Sequence, residues 1–177
     1  MNIPNDALVM MVGIPGSGKS TMAKKLAGDD KESIISIDAI REELFGNPLH
    51  LTAPGNKLAY AEFSKRIEQR LKEGKFTIAD DPSLMFSSSR KDLYKLAQKY
   101  KKPIIIVIMN ISSNIALEQN SQRAMQLSAD VITRSFEDFQ GQYALIHDEI
   151  QTIPNAQVVD IAMPPEKGKA PNRGDVI

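Results

Sequence analysis

The chain contains no cysteine and no tryptophan, and only 2 histidines among its 177 residues. Without cysteine there is no disulfide framework, no thiol nucleophile and no Cys-ligated zinc. The histidines, His50 and His147, stand far apart and lack metal-ligand spacing. Net charge is missing too, because 22 Lys+Arg balance 22 Asp+Glu, so no global field draws in nucleic acid or a membrane surface. No apolar run approaches the roughly 18 residues that a membrane span requires, and no basic segment precedes the first apolar run. These absences predict a cytoplasmic protein. The length suits one domain over residues 1–162. Residues 163–177, rich in Pro, Gly and Lys, read as a flexible C-terminal tail in which Arg173-Gly174-Asp175 is a chance tripeptide.

What the sequence does have is alternation. Short apolar runs at 7–12, 33–37, 76–79, 104–109 and 157–160 read as strands. The unbroken Ile104-Ile105-Ile106-Val107-Ile108 run suits a strand buried on both faces. Helical stripes lie between them: Tyr60, Phe63, Ile67 and Leu71 step by three and four, as do Leu93, Leu96, Ala97 and Tyr100. Gly28 and Gly74 sit where helix C-caps would fall, and Pro103 stops a helix before the fourth strand. Alternating strands and helices predict an α/β fold, a five-stranded parallel sheet with helices on both faces.

Between the first strand and the next helix stands Gly13-Ile14-Pro15-Gly16-Ser17-Gly18-Lys19-Ser20, a complete G-x-x-x-x-G-K-[ST] phosphate loop. Glycines let backbone N–H groups turn inward around phosphate oxygens, and the helix N-terminus adds partial positive charge. Lys19 would reach the β- and γ-phosphates, and the Ser20 hydroxyl would bind Mg²⁺. The pattern predicts a P-loop NTPase fold. A GTPase would need Asn-Lys-x-Asp after a strand, but the fourth strand is followed by Asn110-Ile111-Ser112-Ser113. Asp138-Phe139-Gln140-Gly141 matches D-x-x-G, yet it ends a helical stretch. ATP is therefore the expected nucleotide.

The second strand is expected to end at Ile37-Asp38, with Arg41 three positions on and on the same helical face. The third ends at Asp80-Asp81. Ligands of parallel α/β sheets bind at the carboxyl ends of strands, so a phosphate loop, a carboxylate with an arginine and a carboxylate pair should meet at one edge. That set suits phosphoryl transfer, which needs a metal clamp, a base for the acceptor hydroxyl and cations for developing charge. The alternative reading of Asp38 and Arg41 is a helix N-cap beside a surface arginine.

The ordered combination of GIPGSGKST at 13–21, Ile37-Asp38-x-x-Arg41, the Asp81 strand end and Asn120-Ser121-Gln122-Arg123 resembles the 5′-kinase domain of bacteriophage polynucleotide kinase, over residues 8–139. The resemblance implies ATP and Mg²⁺ binding by the loop residues Gly13, Pro15, Gly16, Ser17, Gly18, Lys19, Ser20 and Thr21. It also implies Asp38 as general base, Arg41 on the acceptor's 3′-phosphate and Asp81 supporting the acceptor site. Arg123 would clamp the donor phosphates from a small helical lid at about 111–128, within or at the end of a helix spanning 115–126. The chain departs from the family pattern at Gln119 and Gln126, at Leu127-Ser128, and at Asp81-Pro82-Ser83, and it has no Asp-x-Asp-x-Thr phosphatase motif.

Charge distribution bears on the acceptor. Residues 57–102 hold 12 basic and 6 acidic side chains, whereas 129–162 hold one basic and six acidic. A basic flank could meet phosphates, or could simply be the solvated face of two helices. Tyr60 and Phe63, in the apolar stripe, are expected in the core rather than stacked on bases, and His50 is expected in a surface loop. The expected activity is ATP-dependent transfer to the 5′-hydroxyl of a DNA or RNA end. The alternatives are a small-molecule kinase acting on a nucleoside, sugar or antibiotic hydroxyl, and an ATP-gated binding module without acceptor chemistry.

Overall fold

A computed structural model describes residues 3–49, 51–123 and 126–162. His50 and the 163–177 segment lie outside the described residues. The five strands are β1 (Leu8–Val12), β2 (Ile34–Ser36), β3 (Thr77–Asp80), β4 (Ile104–Asn110) and β5 (Ala156–Ala162). They form one parallel sheet in the order β2-β3-β1-β4-β5. Among the described residues six α-helices accompany them: α1 (Lys19–Ala27), α2 (Ile37–Phe45), α3 (Ala53–Lys72), α4 (Ser87–Lys99), α5 (Ser113–Ser121) and α6 (Ala129–Gln151).

Strand alternation divides the core into two layers. Leu8, Met10 and Val12 of β1 and Ile104, Ile106 and Ile108 of β4 pack with Phe63, Ile67 and Leu71 of α3, Leu93 and Ala97 of α4, and Ile146 and Ile150 of α6. Val9 and Met11, with Ile105 and Val107, face the opposite way onto Ala23 and Ala27 of α1. The central strand β1 is fully buried, and its register sets Met11 beside Asp80 and Val107. Helices thus cover both faces, and all β–α junctions open onto one sheet edge.

Several boundaries differ from the sequence expectation for local reasons. β2 stops at Ser36 rather than at Asp38, because the Ser36 hydroxyl accepts from Ala39 N at 3.4 Å and starts α2 without a linker. The helix that carries the Tyr60–Leu71 stripe begins at Ala53, with Thr52 as N-cap and Pro54 in the first turn. α5 ends at Ser121, short of 126. The D-x-x-G tetrapeptide lies inside α6 and not at the end of a helix. Gly28 caps α1, whereas Glu73 occupies the α3 C-cap position and Gly74 follows it.

Candidate active site

The loop from β1 to α1 is shaped by glycine. Gly16 and Gly18 hold φ of 83° and 85°, and Gly13 holds 149°, the region that side chains avoid. Space is closed as well: a Cβ on Gly13 would lie 2.7 Å from Ser17 Oγ, and one on Gly16 would lie 2.5 Å from the Ala116 carbonyl. No side chain caps α1, so its N-terminal field faces the loop. Lys19 Nζ donates to the carbonyls of Gly13 and Ile14, both at 2.9 Å. Burial lowers its pKa from 10.5 to about 8, against the upward pull of Asp80. Ser17 Oγ is buried without a hydrogen-bond partner. A cradle that a Cβ would fill, an orphaned hydroxyl and an uncapped helix end fit a nucleotide's phosphates.

Across the edge, Ser20 Oγ donates to Asp80 Oδ2 at 3.0 Å. Asp80 is buried, and burial raises its pKa while Lys19 and the Ser20 hydroxyl oppose the rise. A serine hydroxyl beside a carboxylate is a set of hard oxygens suited to Mg²⁺, which takes one or two protein ligands together with substrate phosphates. Sequence reasoning chose Asp81 and passed over Asp80. Asp80 ends β3 and Asp81 follows it in extended backbone; successive extended residues face opposite sides, and the β1–β3 register turns Asp80 toward the loop.

Asp38 lies in the first turn of α2 and is not its cap. Its Oδ1 accepts from Arg41 Nη1 at 2.9 Å, with side-chain exposures of 46% for Asp38 and 7% for Arg41, so the carboxylate is open and the arginine is not. Arg41 is therefore no surface residue. Its Nη2 donates to Asn56 Oδ1 at 3.0 Å, its guanidinium lies 5.7 Å from the Tyr60 ring centre, and its Nε is buried without a partner. Two of its five N–H donors are thus engaged by Asp38 and Asn56, and Nε is its one nitrogen without a partner. Asn56, which also donates to the Leu51 carbonyl, carried no signal in the sequence, standing fifteen positions away from Arg41.

Asp81 is buried and caps the short 3₁₀ turn Pro82–Met85, accepting from Ser83 N at 2.9 Å and from Ser83 Oγ at 2.5 Å. Tyr60 Oη donates to it at 3.3 Å. Burial pushes the Asp81 pKa up, and these hydrogen bonds hold it down. Phe63 is in the core as expected, while Tyr60 stays half-buried. A cavity of about 350 Å³ opens beside Asp81, with Tyr60, Ser64, Ser88 and Asp92 among its walls and no lysine or arginine lining it.

α5 leans on the phosphate loop through Ala116, and Gln119 Oε1 comes within 3.8 Å of a Cβ built on Gly18. Buried Asn120 then closes the turn toward α6, donating to the Leu127 carbonyl at 2.9 Å and accepting from Leu127 N at 3.0 Å. Exposed Arg123 follows α5, close enough to Lys19 for its charge to lower the lysine pKa. Pro15 is partly buried and Thr21 is exposed. Ser128 holds the N-cap position of α6 but makes no side-chain capping bond. The basic stretch is largely paired. Arg66 bonds Glu43 and Glu62, Arg70 bonds Asp30, Lys99 bonds Glu68 and Lys102 bonds Asp6. His147 lies 3.2 Å from Asp160. Among the described residues, no helix is long and apolar enough to cross a membrane.

Comparison with known proteins agrees with this geometry. Over 142 residues the chain is 28% identical to L-seryl-tRNA(Sec) kinase of Methanococcus maripaludis, covering 75% of this chain and 52% of that protein. Over 147 residues it is 30% identical to a protein of Autographa californica nuclear polyhedrosis virus named as a bifunctional polynucleotide kinase/RNA ligase, covering 75% of this chain and 20% of that one. The chain thus spans about half the length of the first relative and a fifth of the second. Among solved structures, a kinase-designated protein of Chloroflexus aurantiacus superposes with a TM-score of 0.59 at 16% identity, covering 91% of this chain and 87% of that one. The family described as AAA domain matches residues 8–146. With its phosphate loop, parallel sheet and helices in this order, the chain belongs to the AAA domain family, on a P-loop kinase-like fold.

Proposed function

We propose that the protein is an ATP-dependent kinase that transfers the γ-phosphate to a hydroxyl, with the 5′-hydroxyl of a polynucleotide end as acceptor. One observation carries the reading: the neighbouring parallel strands β2, β3 and β1 bring Asp38, the Asp80-Asp81 pair and the phosphate loop to adjacent strand ends, with Ser20 Oγ on Asp80 at 3.0 Å. A nucleotide switch needs no exposed carboxylate beside a buried arginine at that place; a kinase does. The two relatives named above are kinases whose names specify RNA-borne or polynucleotide acceptors.

In this mechanism the loop backbone and Lys19 hold the donor phosphates, and the lysine regains its proton fully once anionic oxygens replace the Gly13 and Ile14 carbonyls. Ser20 and Asp80 would hold Mg²⁺, which supplies charge neutralisation on the phosphates. Asp38 takes the acceptor proton on its free oxygen, Oδ2, while Arg41 fixes Oδ1. Arg41 Nε offers one charge-assisted hydrogen bond to the acceptor. Arg123, whose charge reaches Lys19, brings that charge to the transferring phosphoryl group.

A second reading, a small-molecule kinase, is favoured by the two Arg41 donors engaged by Asp38 and Asn56 and by the cation-free cavity beside Asp81. The test is transfer of labelled γ-phosphate from ATP to 5′-hydroxyl oligonucleotides, nucleoside 3′-monophosphates, nucleosides and sugars. The first reading expects label on oligonucleotides and 3′-monophosphates, with KM for them raised in Arg41→Gln. Equal labelling of plain nucleosides or sugars, with no effect of Arg41→Gln, replaces it by the second.

A further inference from the structure

Arg90, in the first turn of α4, is the largest fully buried side chain among the described residues. Burying a guanidinium is costly unless its donors are matched, and here they are. Nε donates to Tyr94 Oη at 2.9 Å, Nη1 to the carbonyls of Leu84 at 2.8 Å and Met85 at 2.7 Å, and Nη2 to Glu149 Oε2 of α6. Ser87 Oγ holds the other Glu149 oxygen at 3.0 Å. Leu84 and Met85 are the last residues of the 3₁₀ turn whose first amides are taken by Asp81. The turn is therefore gripped at both ends: Asp81 accepts at its start and Arg90 donates at its finish. Tyr60, bonded to both Asp81 and Ser83, closes the same wall.

We propose that Arg90, seated on Glu149, is a positioning residue that braces the Pro82–Met85 turn against α6 and so sets the acceptor-side wall of Asp81, Ser83 and Tyr60. A hydrophobic pair could fill this space without the cost of buried charge, but it would leave the Leu84 and Met85 carbonyls unpaired and could not hold them in place. The word "acceptor" rests on the kinase reading above; the bracing of the turn does not.

The test compares Arg90→Met/Glu149→Leu, which removes both charges at similar volume, with Arg90→Lys, which keeps a charge on Glu149 but loses the planar fork. Three quantities are measured: thermal unfolding, hydrogen exchange at the Ser83, Leu84 and Phe86 amides, and kinetics with the best acceptor of the panel. The double variant should still fold, with a lower unfolding temperature because the Leu84 and Met85 carbonyls lose their donor, and should exchange those amides about tenfold faster or more. Its acceptor KM should rise roughly tenfold, with KM for ATP changing less than about twofold. Arg90→Lys should fall between. Native exchange with unchanged acceptor KM in a folded variant overturns the proposal, and so does failure of both variants to fold, which would make Arg90 a folding residue alone. Faster exchange without a KM change removes the positioning role and leaves the kinase reading standing. If wild type phosphorylates no hydroxyl compound, the kinase reading falls and the acceptor role with it.

Discussion

Replacing Lys19 by methionine should abolish transfer and at the same time relieve a pH-dependent burden on the fold. Lys19 is buried, and its pKa drops from 10.5 to about 8 in the folded chain. A depressed cation pKa means that the unfolded chain binds more protons between those values, so stability rises with pH across that window. From these two pKa values the charged lysine costs the free protein about 3 kcal/mol at pH 7, about 2 at pH 9 and about 1 at pH 10. Methionine has no such dependence. The stability of wild type relative to Lys19→Met should therefore climb by about 2 kcal/mol from pH 7 to pH 10, whatever offset the lost bonds to the Gly13 and Ile14 carbonyls add. Because the chain has no tryptophan, urea unfolding followed by far-UV circular dichroism is the suitable assay. Comparing the two proteins cancels the titration of groups that are not coupled to Lys19. A difference that stays flat from pH 7 to pH 10 refutes the claim that burial governs Lys19. Near-wild-type phosphoryl transfer by the variant refutes its donor-site role.

Gly16→Ala should cost about 1–3 kcal/mol and most of the ATP affinity, because the residue holds φ +83° and its Cβ would meet the Ala116 carbonyl at 2.5 Å; unchanged urea unfolding and ATP titration would contradict the cradle. Asn120→Ala should lose about 1–3 kcal/mol by orphaning both backbone groups of Leu127; hydrogen exchange at the Leu127 amide should rise sharply, and native protection there would show that the turn is held by other means. Arg123→Lys keeps the charge but loses the fork, so kcat should fall roughly tenfold or more while ATP affinity barely moves; full turnover rejects the clamp.

The parts of the fold that depend on local chemistry were legible in the sequence. The β-branched run at 104–108 became a strand buried on both faces, and the phosphate loop needed only its own residue types. The i, i+3 spacing of Asp38 and Arg41 correctly put both on one helix face, where they form an ion pair. What stayed hidden depends on long-range contacts. Which of Asp80 and Asp81 meets Ser20 is decided by the β1–β3 register, and the second partner of Arg41, Asn56, comes from the next helix. Arg90 sits in a polar, serine-rich first turn, and nothing local says that the chain before it folds its carbonyls back over the guanidinium. The basic surplus of 57–102 is partly offset by acidic partners outside that stretch, Asp6, Asp30, Glu43 and Glu149, which a local charge count does not see.

The central claim is that Asp38 takes the proton of a hydroxyl beside a loop-bound ATP. Its most direct test is the rate of γ-phosphate transfer by Asp38→Asn, measured with ATP binding on the same preparation. The side chain is 46% exposed and keeps one oxygen free of Arg41, and asparagine preserves the shape while removing the base. The account predicts that kcat falls by roughly 10²–10⁴-fold with ATP affinity little changed. Normal turnover in this variant would contradict it and leave Asp38 as no more than the partner that holds Arg41.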